Sequence, residues 1–246
     1  MTSAPGNKIS SGTLLLRTAG LLAVLGGLLN AVSDYLLQGG LVARKAVNTY
    51  EFLPEAPFDL VFFGSLVGNA AIPLWLLGFL PVYVALAPAG RWLALPPVVV
   101  LGYTFSLFAG YHGSYALYAA GFQATDSAAA PLAESMTTLT ERLHAYHDAL
   151  LGVIGPPSVI GSVWFAVAVL SGKSRFDRWM VVLAPIVAPL TQPLVEMLPA
   201  PYGGFLRPAW STSLFTLLFL VATLLTWNVE IDLRVRSSVR TDARKT

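Results

Sequence analysis

Cysteine is absent from the 246 residues of the sequence, and histidine occurs three times. Disulfide bonds, a thiolate nucleophile and metal sites with cysteine ligands are therefore excluded. A metal site would have to combine the few histidines with carboxylates. We predict neither a bound metal nor a cofactor.

Charge is also scarce: 11% of the residues are charged, against about 25% in soluble domains. Hydrophobic residues make up 55%, and the shortage of charge extends along the whole chain. This composition predicts an integral membrane protein. The net charge of +2 argues against a nucleic-acid partner, which would need a basic face. The expected partners are membrane lipids and a lipophilic small molecule.

Long apolar segments are what the sequence has in quantity. A helix needs roughly 20 mostly apolar residues to cross the hydrocarbon core of a membrane. The segments that meet this requirement are 14–37, 60–86, 93–120, 147–170, 179–198 and 210–227. No internal repeat or second domain is visible. We therefore predict a single all-α domain, residues 1–246, folded as a polytopic six-helix transmembrane bundle.

The connection between the third and fourth spans has a helical pattern of its own. Leu132, Met136, Leu139 and Leu143 recur at intervals of three or four residues. This spacing predicts an amphipathic helix lying on the membrane surface.

Lysine and arginine predict the orientation, because they collect on the cytoplasmic side of a membrane protein. One side carries Lys8, Arg17, Arg91, Lys173, Arg175, Arg178 and the basic tail 234–246, and the other has Arg44, Lys45, Arg142 and Arg207. Both termini are therefore predicted to be cytoplasmic. The N-terminal segment also has features of a signal peptide, but its apolar run is long for one, so we predict a retained helix.

Under this topology the polar residues of the spans fall at one depth. The inner halves, such as 163–170 and 217–225, are nearly pure hydrocarbon. Polar groups inside a membrane are costly and mark functional sites by default. The sequence therefore predicts a cavity that opens to the outer leaflet and is closed below. Its predicted ligand-binding residues are Asn30, Asn69, Tyr111, Tyr115, Gln192 and Arg207, and its candidate catalytic residues are Asp34, His112, His147, Asp148 and Glu196.

His144, His147 and Asp148 lie at i, i+3 and i+4 near the start of the fourth span. Two histidines at this spacing are compatible with half of a metal site, and a histidine beside an aspartate is compatible with a general base. An ordinary polar helix start at the membrane interface explains the same pattern. The sequence leaves these three interpretations open.

Prolines interrupt the fourth and fifth spans. Pro185, Pro189 and Pro193 recur every four residues, and Pro156 and Pro157 follow Gly155. Each proline removes a backbone donor and disfavours a straight helix. We expect helix five to be kinked and helix four to be broken at 155–157.

Several short motifs occur together along the chain. They are Ser33-Asp34-Tyr35-Leu36-Leu37, Pro73-Leu74-Trp75-Leu76-Leu77-Gly78, His112-Gly113-Ser114 and the segments 89–97, 169–173 and 198–204. With these motifs the chain resembles a family of small six-helix membrane proteins of unknown function. The resemblance covers most of the chain and supports the fold, but it implies no chemistry.

The leading functional hypothesis is a membrane enzyme that performs acid–base chemistry on a lipophilic small molecule, such as an isoprenoid or polyketide. Isomerisation, cyclisation and epoxide opening are reactions of this kind. Asp34 or Glu196 would donate a proton, and His112 or the His147–Asp148 pair would accept one. The alternatives are a binding or transport protein for a lipid or small cation, and a scaffold protein whose polar residues hold helices together.

Overall fold

The computed structural model describes residues 10–38, 53 and 56–231, and this part of the chain contains helices and no strand. The predicted charges Lys8, Arg44 and Lys45 and the basic tail lie outside the described residues. The helices are α1 (Ser11–Leu37), α2 (Phe58–Leu76), α3 (Phe79–Leu86), α4 (Arg91–Ser127), α5 (Ala130–Leu170), α6 (Val187–Glu196), α7 (Tyr202–Leu206) and α8 (Trp210–Thr226). Two 3-10 turns, Ala87–Ala89 and Arg178–Leu183, precede α4 and α6.

Four helical segments are long and apolar enough to cross a membrane. They are α1, the combined segment Phe58–Ala89, α4 and α5. This agrees with the prediction of an α-helical membrane protein, and the four segments correspond to the first four predicted spans. The sixth predicted span forms α8, an apolar helix of 17 residues.

The prediction of a continuous fifth span is wrong. Residues 178–183 form a 3-10 turn, Ala184 is extended with ψ 132°, and α6 begins at Val187. The cause is Pro185, because a proline disfavours the helical conformation in the residue before it. The chain therefore leaves the helical conformation before α6, where a kinked but continuous helix was expected.

The predicted surface helix does not exist as a separate element. Its leucines belong to the first turns of α5, which is joined to α4 through Ala128 and Ala129 alone. Thr125 and Thr140 hydrogen bond across this hairpin at 2.9 Å, and Gly121 leaves room for the Thr140 side chain. The segment therefore forms the first turns of a hairpin helix, while Leu132 and Leu139 stay 57% and 45% exposed. The expected break at 155–157 is also absent, since α5 continues through Pro156 and Pro157.

Small residues let α1 lie close to its neighbours. A Cβ atom at Gly27 would collide with the Thr216 side chain of α8, and one at Gly64 would lie 2.8 Å from the backbone nitrogen of Leu37. At the start of α1, Thr13 Oγ1 donates to the Val229 carbonyl at 3.2 Å. α1 and α8 are therefore antiparallel, with α2 packed on the other face of α1.

An aromatic cluster fills the interior of the bundle. Trp75 of α2 packs on Phe105 of α4 and Phe215 of α8, with ring centroids 4.7 and 5.6 Å apart, and Phe79 and Phe219 extend the cluster. Trp75, Phe105 and Phe219 are almost completely buried. This cluster forms the floor beneath the polar residues described below.

A hydrogen bond joins α5 to the segment that follows the 3-10 turn. Ser162 is buried, and its Oγ accepts the Ile186 backbone N–H at 3.0 Å. We expect Ser162→Ala to lower the free energy of unfolding by about 1 kcal/mol, the usual net value of such a bond. Thermal unfolding in detergent measures the change. Ser106→Ala, at an exposed site of α4, is the control, and an equal loss in both variants would contradict the assignment.

Candidate functional site

A cavity of about 500 Å³ lies between α1, α4, α5, α6 and α8, above the aromatic cluster. Volumes of this size are typical of sites for small organic ligands. The predicted residues that line it are Asp34, Tyr111, His112, Tyr115, Gln192 and Arg207. The structure therefore brings together polar groups that are far apart in the sequence.

Asp34 and His112 form a partly buried pair at the cavity wall. His112 Nε2 lies 3.3 Å from Asp34 Oδ1, and the two side chains are 6% and 16% exposed, with histidine first. Thr212 Oγ1 donates to the other carboxylate oxygen, Oδ2, at 2.5 Å. Both oxygens of the Asp34 carboxyl group are thus engaged by residues from other helices.

The close approach of α1, α2 and α4 makes this pair possible. Ser33, next to Asp34, donates from Oγ to the Gly64 carbonyl at 2.7 Å, which fixes α1 against α2. A Cβ atom at Gly68 would lie 2.6 Å from Ser33 Oγ and 2.8 Å from His112 Cδ2. A glycine at this position therefore gives the imidazole the space it needs to reach Asp34.

The hydrogen bonds restrict where the proton of this pair lies. His112 Nδ1 lies 3.0 Å from the Phe108 carbonyl oxygen. A carbonyl oxygen only accepts, so Nδ1 carries a hydrogen, and a bond between Nε2 and the carboxyl group needs one more proton between them. Asp34 and His112 can hold this proton together, release it and take it back. That is the requirement for acid–base chemistry.

Arg207 is fixed at another part of the cavity wall. Its Nε donates to Glu196 Oε1 at 3.1 Å, and the same oxygen accepts from Gln192 Nε2 at 2.9 Å. The Arg207 side chain is 9% exposed, whereas that of Glu196 is 30% exposed. Glu196 does not line the cavity. Its carboxylate therefore orients Arg207 and does not contact a ligand directly.

His147 lies behind the tyrosines of the wall. It is fully buried, its Nδ1 is 2.6 Å from Ser114 Oγ, and its ring lies 4.5 Å from that of Tyr111 and 4.7 Å from that of Tyr115. The hydroxyl groups of Tyr111 and Tyr115 are 3.1 Å apart, and both residues line the cavity. His147 therefore supports the tyrosines and does not itself border the cavity.

Asp148, which was expected to act with His147, has its ion pair with a different histidine. Asp148 instead pairs with His144, at 3.3 Å from Nε2 to Oδ2, and both side chains are about half exposed. This second pair lies outside the cavity. Among the described residues, no three or more histidine, aspartate or glutamate side chains are grouped as metal ligands would be.

Comparison with known proteins gives a family without an assigned activity. Residues 8–230 match the model of a family of unknown function (DUF6796). The chain belongs to this family. No curated protein and no solved structure matches it significantly. The functional argument for this member of the family therefore depends on its own residues.

Asn30 and Asn69 do not line the cavity. Asn30 is fully buried and donates from Nδ2 to the Gly26 carbonyl at 3.1 Å. Within the described part of the chain, the buried side-chain oxygens of Asn30 and Asn69 accept no hydrogen bond. The prediction that these two residues bind ligand gains no geometric support.

Thr212 and Trp75 are cavity residues that were not predicted. A threonine at the start of an apolar helix is common, and nothing in its surroundings marked Thr212 as the partner of a residue 178 positions away. Trp75 lies in an apolar segment, where a tryptophan is expected to be a core residue rather than part of a cavity wall. The signal that was available is the helical register of α8, which places Thr212 one turn before Phe215 of the floor.

Proposed function

We propose that this protein is an integral membrane enzyme that carries out acid–base chemistry on a lipophilic small molecule. The observation that supports this most directly is the Asp34–His112 pair, 3.3 Å apart at the wall of a mostly apolar cavity. A buried pair of this kind is costly in a membrane protein. A catalytic role accounts for this cost, because the pair lies beside a cavity large enough for a ligand.

In the proposed reaction, the pair gives its proton to a carbon–carbon double bond or an epoxide oxygen of the ligand. The pair is then one proton short, and it takes a proton from a neighbouring carbon of the same ligand. An isomerisation or cyclisation is completed in this way, with no net change in protons. Opening an epoxide to a diol needs a water molecule as co-reactant. Thr212 keeps the carboxyl group oriented throughout.

The floor of the cavity favours an enzyme over a transporter. Transport across a membrane needs polar groups or broken helices at the midplane and beyond. Here Trp75, Phe105 and Phe215 pack against one another directly beneath the polar residues. A ligand that enters from one side therefore meets a closed aromatic layer.

The proposal includes six crossings, with both termini on the cytoplasmic side. Arg17 of α1 donates from Nε to the Trp227 carbonyl at 2.8 Å, so the start of α1 and the end of α8 are neighbours, as an even number of crossings requires. The Arg175 N–H bonds the Ala85 carbonyl at 2.8 Å, which brings Lys173 and Arg175 close to the start of α4. The positive-inside rule then favours this end as cytoplasmic. The 3-10 turn and α6 together make the fifth crossing.

The test compares lipophilic compounds extracted from membranes that contain the wild-type protein or its His112→Gln variant. We expect the wild type to convert a compound into a product of equal mass, or one heavier by one water, and the variant to do so at least tenfold more slowly. Mass spectrometry of the extracts measures the conversion.

The matched control is His144→Gln, because His144 also lies 3.3 Å from an aspartate but outside the cavity. Its conversion should equal that of the wild type. Unchanged conversion in His112→Gln would reject the proposal. A ligand retained by the protein without conversion would favour a binding or transport function, and loss of folded protein in His112→Gln would favour a scaffold.

A further inference from the structure

Arg207 has donors that the folded chain leaves unused. Its Nε bonds Glu196, and among the described residues its two terminal amino groups, with four N–H donors, make no hydrogen bond. The side chain is nine-tenths buried and borders the cavity. The terminal nitrogens are not among the buried atoms that lack a partner in the described residues, so they remain accessible at the cavity. These donors therefore point to a ligand group with several acceptor atoms.

Other groups at this end of the cavity fit the same ligand group. Ser211 borders the cavity, and in the described part of the chain its hydroxyl group is not hydrogen bonded. The nearby carboxylates are already occupied: Glu196 by Arg207 and Gln192, and Asp34 by His112 and Thr212. Glu196 is paired with Arg207 and does not line the cavity, and Asp34 is paired with His112, so a negative ligand group meets the Arg207 donors rather than an unpaired carboxylate.

The opposite wall of the cavity is apolar and lies between α5 and α6. Ile154 and Val159 of α5 line the cavity together with Ile186 and Pro189, and the bond from the Ile186 N–H to Ser162 Oγ lies at the gap between the two segments. α5 packs on the 3-10 turn before α6, with no comparable contact to α6 itself. Beyond the gap the surface is strongly apolar, since Leu190 and Leu194 are 69% and 64% exposed. Such a gap opens towards lipid chains.

From these two ends we propose that the cavity binds an amphiphile with one apolar chain and an anionic head group, either a carboxylate or a phosphate. Arg207 and Ser211 hold the head group, and the chain leaves through the gap between α5 and α6. This inference rests on the proposed function, since it names the substrate class of the same cavity. It also makes Arg207 a binding residue that is independent of the acid–base pair.

Equilibrium binding of ligands that differ only in the head group tests the inference. The full-length protein is placed in nanodiscs of neutral phosphatidylcholine, and binding to empty nanodiscs is subtracted. The probes are lauric acid, lauryl phosphate, lauryl alcohol and laurylamine. We expect at least one of the two anions to bind at least tenfold more tightly than the alcohol and the amine, as charge-assisted bonds to a buried guanidinium group require. The comparison of lauric acid with lauryl phosphate decides between carboxylate and phosphate.

Arg207→Gln should remove the preference for anions, whereas Arg142→Gln, at an exposed site outside the cavity, should retain it. Because Arg207→Gln leaves Glu196 without its partner, the double variant Arg207→Gln/Glu196→Gln provides a neutral replacement for the ion pair. If either variant is folded and keeps the preference, the inference is wrong. Equal binding of alcohol and anions, preference for the amine, or no binding of any probe by folded wild type overturns it as well.

The path of the ligand's apolar chain is tested at Gly155, which borders the cavity and has open space around its Cβ position. Gly155→Leu should weaken binding of lauric acid severalfold and leave the shorter caproic acid unaffected. Gly152→Leu, also in open space but outside the cavity, is the control. Equal weakening of both acids in Gly155→Leu contradicts the proposed path.

The two proposals can fail separately. Anion binding by the wild-type protein without conversion of any compound would keep this inference and reject the enzyme. Conversion of a neutral compound, without preference for anions, would keep the enzyme and reject this inference.

Discussion

Asp34→Asn is expected to slow the conversion by a factor of about 100 to 10,000, the usual contribution of a positioned acid–base group. An amide cannot share or release the proton that the carboxyl group holds with His112 Nε2. The shape of the side chain is almost unchanged, and the bond from Thr212 can still be accepted by the amide oxygen. The rate of product formation in isolated membranes measures the effect, with melting temperature as a test of folding.

Asp148→Asn is the matched control for this variant. Asp148 also lies 3.3 Å from a histidine, but that pair is half exposed and lies outside the cavity. We expect its conversion rate to stay within twofold of the wild type, since exposed ion pairs contribute little. If Asp148→Asn lowered the conversion rate and Asp34→Asn did not, the roles of the two pairs would be exchanged and the assignment contradicted.

Gly27→Ala is expected to lower the free energy of unfolding by about 1–3 kcal/mol, the usual cost of forcing extra volume into a packed core. The added methyl group would collide with the Thr216 side chain, which is β-branched and bonded to the Thr212 carbonyl at 2.7 Å. Thr216 therefore cannot turn away without losing its own bond, and α1 and α8 must separate. Unfolding of the purified protein by heat or denaturant measures the loss.

Gly152→Ala should have the opposite sign. A Cβ atom at Gly152 meets nothing within 4 Å, and the residue lies inside α5. Alanine in a helix is more stable than glycine by roughly 0.5–1 kcal/mol, so this variant should be slightly stabilised. Destabilisation of both variants by the same amount would show that the contact between α1 and α8 is not the cause.

The polar residues of the cavity were predictable because each stood out in an apolar segment. The sequence alone identified Asp34, His112 and Arg207. The orientation predicted from lysine and arginine placed all three at the same depth in the membrane. Their partners were harder to find. Thr212 binds Asp34 across 178 positions, and a threonine in an apolar helix more often bonds its own backbone, as Thr216 does.

The ion pair of Asp148 with His144 rather than with its neighbour His147 has a geometric origin. Adjacent residues of a helix point about 100° apart, so the side chains of His147 and Asp148 do not face each other. His147 is buried against α4, and Asp148 turns outward to the residue four positions earlier, His144. Spacing alone indicated that these residues lie near each other, but not which of them faces the protein.

Two further predictions, a separate surface helix and a break in helix four, were wrong because a local sequence pattern does not determine the tertiary contacts. Leucines at helical spacing in 132–143 indicated a helix but not where it ends: the helix is continuous with α5, contacts α4 through Thr140, and leaves Leu132 and Leu139 exposed. Prolines were expected to act alike in helices four and five. Pro156 and Pro157 are accommodated within α5, beside glycines that leave open space, whereas Pro185 follows an extended residue and ends the 3-10 turn.

The gap between α5 and α6 determines how the affinity of a ligand must be expressed. A molecule that enters from the lipid is first concentrated there, at about 0.8 kcal/mol for each methylene group that leaves water. Apparent dissociation constants in aqueous units therefore fall as the chain lengthens, even where added methylenes touch no side chain. Chain-length selectivity that belongs to Ile154, Val159 and Ile186 becomes visible once ligand is counted per lipid molecule rather than per litre.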